Sequence, residues 1–365
     1  MPTGNAQNKG STFVIAEAGV NHNGSMDLAR DLIEVAADAG ADAVKFQTFR
    51  SDALVAEDAP KADYQTETTD AGESQVEMLR RLELTPDQHH TIAQHCSDRD
   101  LQFLSTPFDT QSARFLVDEF DVSRIKIGSG ELTNGPLLLD IARIERPVIL
   151  STGMGTLGEV ERALSVLAFG YVADGDRPTL EDLERVFAST DGQNALAQNV
   201  TVLHCVTEYP APAETANLRV MDTLREAFGL PVGLSDHTQG ISVPIAAVAR
   251  GATLIEKHFT LDRSLPGPDH EASLEPDELR DMIQGIREVE AALGTGRKTP
   301  AGPEWKNRSV ARKSLVANQP IQEGENFTSE NLGIKRPGDG ISPMRYWEYL
   351  DRTASRPYEQ DDQIQ

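Results

Sequence analysis

Residues 13–48 read FVIAEAGVNHNGSMDLARDLIEVAADAGADAVKFQT, and the change of period within this stretch decides the fold. Phe13 to Gly19 is a short apolar run. Leu28, Leu32, Val35, Ala36 and Ala39 then recur at three- and four-residue spacing behind Ser25, and AVKFQT at 43–48 is apolar again. These periods predict a strand, an amphipathic helix over 26–39 capped by Ser25, and a second strand. Six further runs repeat the theme: FLSTPF (103–108), RIKIGS (124–129), VILSTG (148–153), TVLHCV (201–206), VGLSDH (232–237) and LIEKHFT (254–260). Their nearly continuous apolar character fits strands buried on both faces. Eight strands alternating with helices predict an α/β fold, a parallel (β/α)8 barrel. An open doubly wound sheet competes, but no GxGxxG follows the first strand.

The chain divides on composition. Residues 1–10 are polar and expected to be a disordered lead-in, 11–294 carry the barrel, and 295–308, rich in Gly, Pro and charge, form a linker. Residues 309–365 are expected to make a small, mostly β module, with strand-like runs at 314–317 and 332–335 and an end at DDQIQ that falls short of a last strand. Two acidic, polar stretches break the pattern: 173–199, read as a surface insertion with one short helix, and 51–77, read as a lid over the barrel mouth.

Thirty-four basic against 58 acidic residues give a net charge of −24, which repels a nucleic-acid backbone. Only nine of the basic residues are Lys, and a large acidic excess of this kind suits a salt-rich, halophilic cytosol, where ions screen like charges. No apolar stretch has membrane-spanning length and the first residues lack a secretory pattern, so the expectation is a soluble cytoplasmic protein. Cys96 and Cys205, far apart, are expected to be reduced and buried.

In a barrel the functional residues sit at the carboxyl ends of the strands. Polar groups there are abundant: Glu17, His22 and Asn23; Lys45 and Gln47; Ser105 and Thr106; Lys126, Ser129 and Glu131; Ser151 and Thr152; His204, Thr207, Glu208 and Tyr209; Ser235, Asp236 and His237; Glu256, Lys257 and His258. Lys45 and Lys126, with hydroxyls of Thr106, Ser129, Ser151 and Ser235, form a cationic, donor-rich pocket suited to a phosphate or carboxylate. The competing reading pairs these lysines with Glu17 or Glu131 as structural bridges. His237 and His258, on neighbouring strands, can share a metal ion, with Asp236 and Asp269 nearby; zinc and iron fit such ligands as well as harder ions do.

The motifs EAGVNHNG (17–24), KFQTF (45–49), STPFD (105–109), KIGSGE (126–131), LSTGM (150–154), EYPAP (208–212), LSDHT (234–238), EKHFTLDR (256–263) and PGPDH (266–270), with KRPGDGISP (335–343), resemble the sialic acid synthase family over nearly the whole chain. The resemblance implies condensation of phosphoenolpyruvate with an N-acyl mannosamine. It also implies a C-terminal antifreeze-like (SAF) domain that covers the partner's barrel in a domain-swapped homodimer. It assigns Lys45, Thr106, Lys126, Ser129, Ser151 and Ser235 to phosphoenolpyruvate, and His237 and His258 to Mn2+ or Mg2+. Glu17, Glu256 and His237 become the catalytic residues, while Gln47, Glu131, Tyr209, Asp269 and Arg336 surround the sugar.

Two departures bear on the sugar. Thr207 stands where some members carry Asn, and Phe46 where some carry a polar residue. A legionaminate synthase, acting on a 2,4-diacetamido-trideoxy-mannose, would need less polar surroundings at the sugar tail. Synthases that use sugar phosphates would need a second phosphate site, and a non-enzymatic sugar- or ice-binding scaffold would release no phosphate.

Overall fold

The computed structural model describes residues 11–365 apart from 58, 62–65, 67, 68, 70 and 71. The expected lead-in, and part of the expected lid, fall outside the described residues. The chain forms two compact units, one ending at Gly294 and the other beginning at Thr295.

In the first unit Phe13–Gly19 (β1), Ala43–Thr48 (β2), Gln102–Pro107 (β3), Ile125–Ile127 (β4), Val148–Ser151 (β5), Val200–Cys205 (β6), Val232–Asp236 (β7) and Leu254–His258 (β8) form one sheet in the order β3-β2-β1-β8-β7-β6-β5-β4. All seven pairings are parallel. With helices between successive strands, this is the (β/α)8 barrel. Helix α1 covers Met26–Ala39, Ser25 accepts from the Leu28 amide, and Gly40 ends the helix in the left-handed region at φ 83°. Leu32, Ile33, Ala36 and Ala39 on its inner face are buried against the strands.

The barrel interior is layered. Ile15, Ala43, Leu104, Ile149, Leu203 and Leu254 pack into an apolar plug. Successive side chains of a strand point to opposite faces, so the residue two positions on stands directly above. Those residues are Glu17, Lys45, Thr106, Ser151, Cys205 and Glu256. The large core lies outside the strands, where Val14, Ala16, Val44, Phe46, Leu150 and Val202 meet the helices.

Around the mouth, Ser51–Leu54 (α2) follows β2, and Gln75–Leu82 (α3) begins with a capping box between Ser74 and Glu77. The 173–199 stretch departs from expectation: it holds two helices, Leu180–Phe187 and Thr190–Asn199. Thr179 and Ser189 each cap one of them, so the polar residues that read as loop are helix starts. No helix among the described residues is long and apolar enough to cross a membrane. Cys96 and Cys205 are free and buried.

The second unit pairs Ser314–Ala317 (β9) with Leu332–Lys335 (β10) in antiparallel fashion. Leu315, Ile321, Phe327, Leu332, Tyr358 and Ile364 make its small core. Gln363 bridges Val316, so the closing DDQIQ stretch lies along β9. Residues Glu304–Ala311, within and just past the expected linker, are helical.

Candidate active site

Directly above the plug lies a layer of buried charge. Lys45 Nζ sits 2.6 Å from Glu17 and donates to Thr106 Oγ1 at 2.8 Å. Lys126 Nζ donates to Glu256 at 2.9 Å, Ser235 donates to the same carboxylate oxygen at 2.8 Å, and the other oxygen lies 3.6 Å from Lys45. Each lysine of the expected pocket faces a glutamate here, because an unpaired ammonium at this depth would be costly. The pairing of Lys45 with Glu17, the competing reading, is realised within the mouth itself.

The two glutamates differ electrostatically although they share a layer. Burial pushes Glu17 up to about 7, against the pull of Lys45. Burial also opposes the charge on Glu256, but Lys126 and Lys45, with hydrogen bonds from Lys126 and Ser235, outweigh it and hold this carboxyl far below the ordinary range. One carboxylate is poised to exchange a proton near neutrality and the other is a permanent anion.

Ser151 is buried on the inward face, and its hydroxyl has no hydrogen-bond partner among the described residues. Ser129, in the turn after β4, accepts from the Gly153 amide at 3.0 Å beside Thr207.

At the rim, His237 Nδ1 donates to the Val206 carbonyl at 2.7 Å, which leaves Nε2 with a free lone pair. The His258 ring centroid is 5.5 Å from that of His237. Burial, reinforced by His237, keeps His258 neutral, and its Nδ1 has no hydrogen-bond partner among the described residues. Asp269 Oδ2 lies 3.8 Å from that atom, and burial raises its carboxyl to about 6. Burial opposes a charge on His237, but Cys205 and the Val206 carbonyl outweigh it and raise its pKa. Once His237 has given up that proton, the two imidazoles and the adjacent carboxylate fit a divalent ion that takes its remaining ligands from water or substrate. Among the described residues no three His, Cys, Asp or Glu side chains converge tightly enough to hold an ion by themselves.

Gly19, at φ 51°, is what leaves room for this group: a Cβ there would lie 3.2 Å from His258, 3.3 Å from Asp269 and 3.4 Å from Glu17.

Above opens a cavity of about 650 Å3, bordered by Gln47, Glu131, Thr207, Tyr209, His258 and Asp269. Tyr209 stacks on His237 with centroids 4.0 Å apart. Leu54, Val55, Met78, Leu79, Leu82 and Phe108 supply an apolar wall, and no Lys or Arg is found among the described residues that line it. The four expected sugar-contact residues of the barrel therefore share one space. Arg336 belongs to the second unit, where it is exposed.

Several expected mouth residues lie elsewhere. Asp236 and Lys257 pair at 2.6 Å on the outer face of the strands, and Thr238 donates to the same Asp, so Asp236 is no neighbour of the two histidines. Ser105 bonds Thr48 Oγ1, which bonds His89; His204 bonds the Ala216 carbonyl; Thr152 donates to Leu203. Phe46 is fully buried against His22 and Phe103, away from the cavity. All have the wrong strand parity, a signal the sequence contained. Cys205, of the right parity and 3.9 Å from His237 Nδ1, was missed because it reads as a small apolar residue.

The NeuB family profile matches residues 32–298. The chain is 47% identical over 97% of its length to the N,N'-diacetyllegionaminic acid synthase of Campylobacter jejuni, of which it covers 98%. It is 43% identical over 91% of its length to the synthase of the same name from Legionella pneumophila, covering 87% of that protein. The crystal structure of N-acetylneuraminic acid (sialic acid) synthetase from Leptospira borgpetersenii, in complex with citrate, superposes with a TM-score of 0.66 at 32% identity, covering 81% of this chain and 90% of that one. With this similarity over the barrel that carries the paired lysines, glutamates and histidines, the chain belongs to the NeuB family and is a phosphoenolpyruvate-dependent, carbon–carbon bond-forming enzyme.

Proposed function

We propose that the chain condenses phosphoenolpyruvate and water with an unphosphorylated N-acyl amino sugar, giving a nine-carbon 2-keto acid and phosphate. Its preferred sugar is a 2,4-diacetamido-trideoxy-mannose, as in a legionaminate synthase. N-acetylmannosamine, the first choice on sequence, is the poorer substrate. The carrying observation is the cavity wall of Leu54, Val55, Met78, Leu79, Leu82 and Phe108, which offers a methyl and a second acetyl group apolar contact and leaves a hydroxyl without a partner. The absence of Lys and Arg among its described lining residues argues against a sugar phosphate. Two relatives named as diacetyllegionaminic acid synthases favour the same choice.

In this reading Lys45, Thr106, Lys126, Ser129, Ser151 and Ser235 hold the phosphate and carboxylate of phosphoenolpyruvate, which displace part of the lysine–glutamate pairing. Gln47, Glu131, Tyr209 and Asp269 hold the sugar with its aldehyde toward the histidines. A divalent ion, Mn2+ or Mg2+, held by His237 and His258, would supply Lewis-acid polarisation of that aldehyde. Carbon 3 of phosphoenolpyruvate bonds to the aldehyde carbon, whose oxygen takes up a proton and becomes a hydroxyl. Positive charge then develops at carbon 2, where the fixed anion of Glu256 offsets it. Glu17 takes a proton from the water that adds there. Last, the hydroxyl at carbon 2 passes its proton to the phosphate as the carbon–oxygen bond to phosphate breaks, which leaves the keto group, and the lysines and serines receive the departing anion. The second unit acts as an antifreeze-like domain that brings Arg336 to the partner's sugar in a swapped homodimer.

Phosphate release from phosphoenolpyruvate, measured with each sugar and with Mn2+ or Mg2+, tests this. The diacetamido sugar is expected to have the higher kcat/KM by about 10- to 100-fold, the range an apolar pocket can discriminate. Equal or better turnover of N-acetylmannosamine removes the sugar assignment. No release with either sugar removes the condensation.

A further inference from the structure

The loop after β8 carries Asp269, yet loops of this length are ordinarily the loosest part of a barrel. Here it is tied to the loop after β1 by bonds that the proposed chemistry does not use. Asn23 Nδ2 donates to the Pro266 carbonyl at 2.8 Å and to His270 Nε2 at 3.1 Å. With Nε2 accepting, the neutral ring carries its proton on Nδ1 and gives it to Thr260 Oγ1 at 2.7 Å; that hydroxyl in turn donates to the Asp262 carbonyl.

A second strand of bonds runs beside the first. Asn21 Nδ2 donates to the Phe259 carbonyl at 2.8 Å and to Ser273 Oγ at 2.9 Å, and Ser273 donates to the Asp269 carbonyl at 2.6 Å. Asn21, His270 and Ser273 are almost wholly buried, so these bonds compete with little water. The fit is close: a Cβ on Gly267, at φ 150°, would lie 2.8 Å from both Asn23 Oδ1 and His270 Cδ2.

We infer that Asn21, Asn23, His270 and Ser273 are positioning residues that hold Asp269 against His258 so that its carboxylate meets the sugar. Each bond has a fixed donor and acceptor, and the two chains grip Asp269 from either side, at residue 270 and at its own carbonyl. The carboxylate itself is left with no hydrogen bond among the described residues, aimed at the cavity. This rests on the sugar role proposed for Asp269, and the test separates the two.

Steady-state KM values for the diacetamido sugar and for phosphoenolpyruvate are measured for Asn23→Ala, His270→Leu, His270→Gln, Asp269→Ala and the double variant Asn23→Ala/Asp269→Ala, with melting curves alongside. Asn23→Ala and His270→Leu are expected to raise the sugar KM about tenfold while the phosphoenolpyruvate KM moves less than about twofold, as misplacement of one contact predicts. His270→Gln keeps an acceptor toward Asn23 and is expected to recover most of the loss. The double variant should be no worse than Asp269→Ala alone, since the clamp then has nothing to orient. Parallel rises in both KM values, or additive losses in the double variant, overturn the clamp. An unchanged sugar KM in Asp269→Ala overturns the role of Asp269 and the clamp with it.

Discussion

Glu17 and Glu256 show how little of a residue's chemistry is fixed by its type. Both are buried one layer above the plug, yet Glu256 receives Lys126 and Ser235 on one oxygen while Glu17 has Lys45 alone. Glu17, raised to about 7, is mostly protonated below that pH and mostly charged above it. If its anion accepts the proton of the attacking water, kcat falls as pH drops through about 7. Glu17→Gln should lower kcat by about 10²- to 10⁴-fold and flatten that limb of the pH–rate profile. A variant that keeps the limb would show that another group titrates. Glu17, Lys45 and Glu256 were readable because they stand two places beyond the apolar plug residues Ile15, Ala43 and Leu254 on the same strand face; Lys126, which stands two places beyond Arg124, was readable only as one of nine lysines at a strand end. The pairing of Lys45 with Glu17 was a competing reading, but that of Lys126 with Glu256 was not readable, since it depends on how β4 and β8 bring their side chains to one level across the barrel.

Among elements, α3 matters most for the choice of sugar, because Met78, Leu79 and Leu82 provide half of the apolar wall. Its position is set partly by Gly24 in the loop after β1: at φ 75° a Cβ there would fall 2.5 Å from the Arg81 carbonyl. Gly24→Ala should therefore destabilise the fold by about 1 kcal/mol or more. It should also push the helix outward, raising the sugar KM more than the phosphoenolpyruvate KM; a melting curve and the two KM values check both. The strand and helix of 13–39 were legible to the residue, because period and capping agree there. Asp236 and Lys257 were misplaced because neighbours in sequence at a strand end look alike until parity sends every second one behind the sheet. The Asn21 and His270 contacts lay beyond reading, since loops carry no period and their partners are some 240 residues apart.

At the scale of the molecule, the net charge of −24 is a property of the surface. Many charged pairs among the described residues, such as Arg30 with Asp27 and Arg280 with Asp277, are exposed and contribute little. Molar KCl, with a screening length of about 3 Å, should relieve the self-repulsion and raise Tm above its value in dilute buffer. Equal Tm values in both would remove the proposed adaptation to salt. The apolar plug has a different consequence. Ile15, Ala43, Leu104, Ile149, Leu203 and Leu254 close the barrel from below, so the chamber is a cul-de-sac. If the cavity above is the way in, a molecule resting on the lysine layer is expected to arrive before its covering companion and to depart after it.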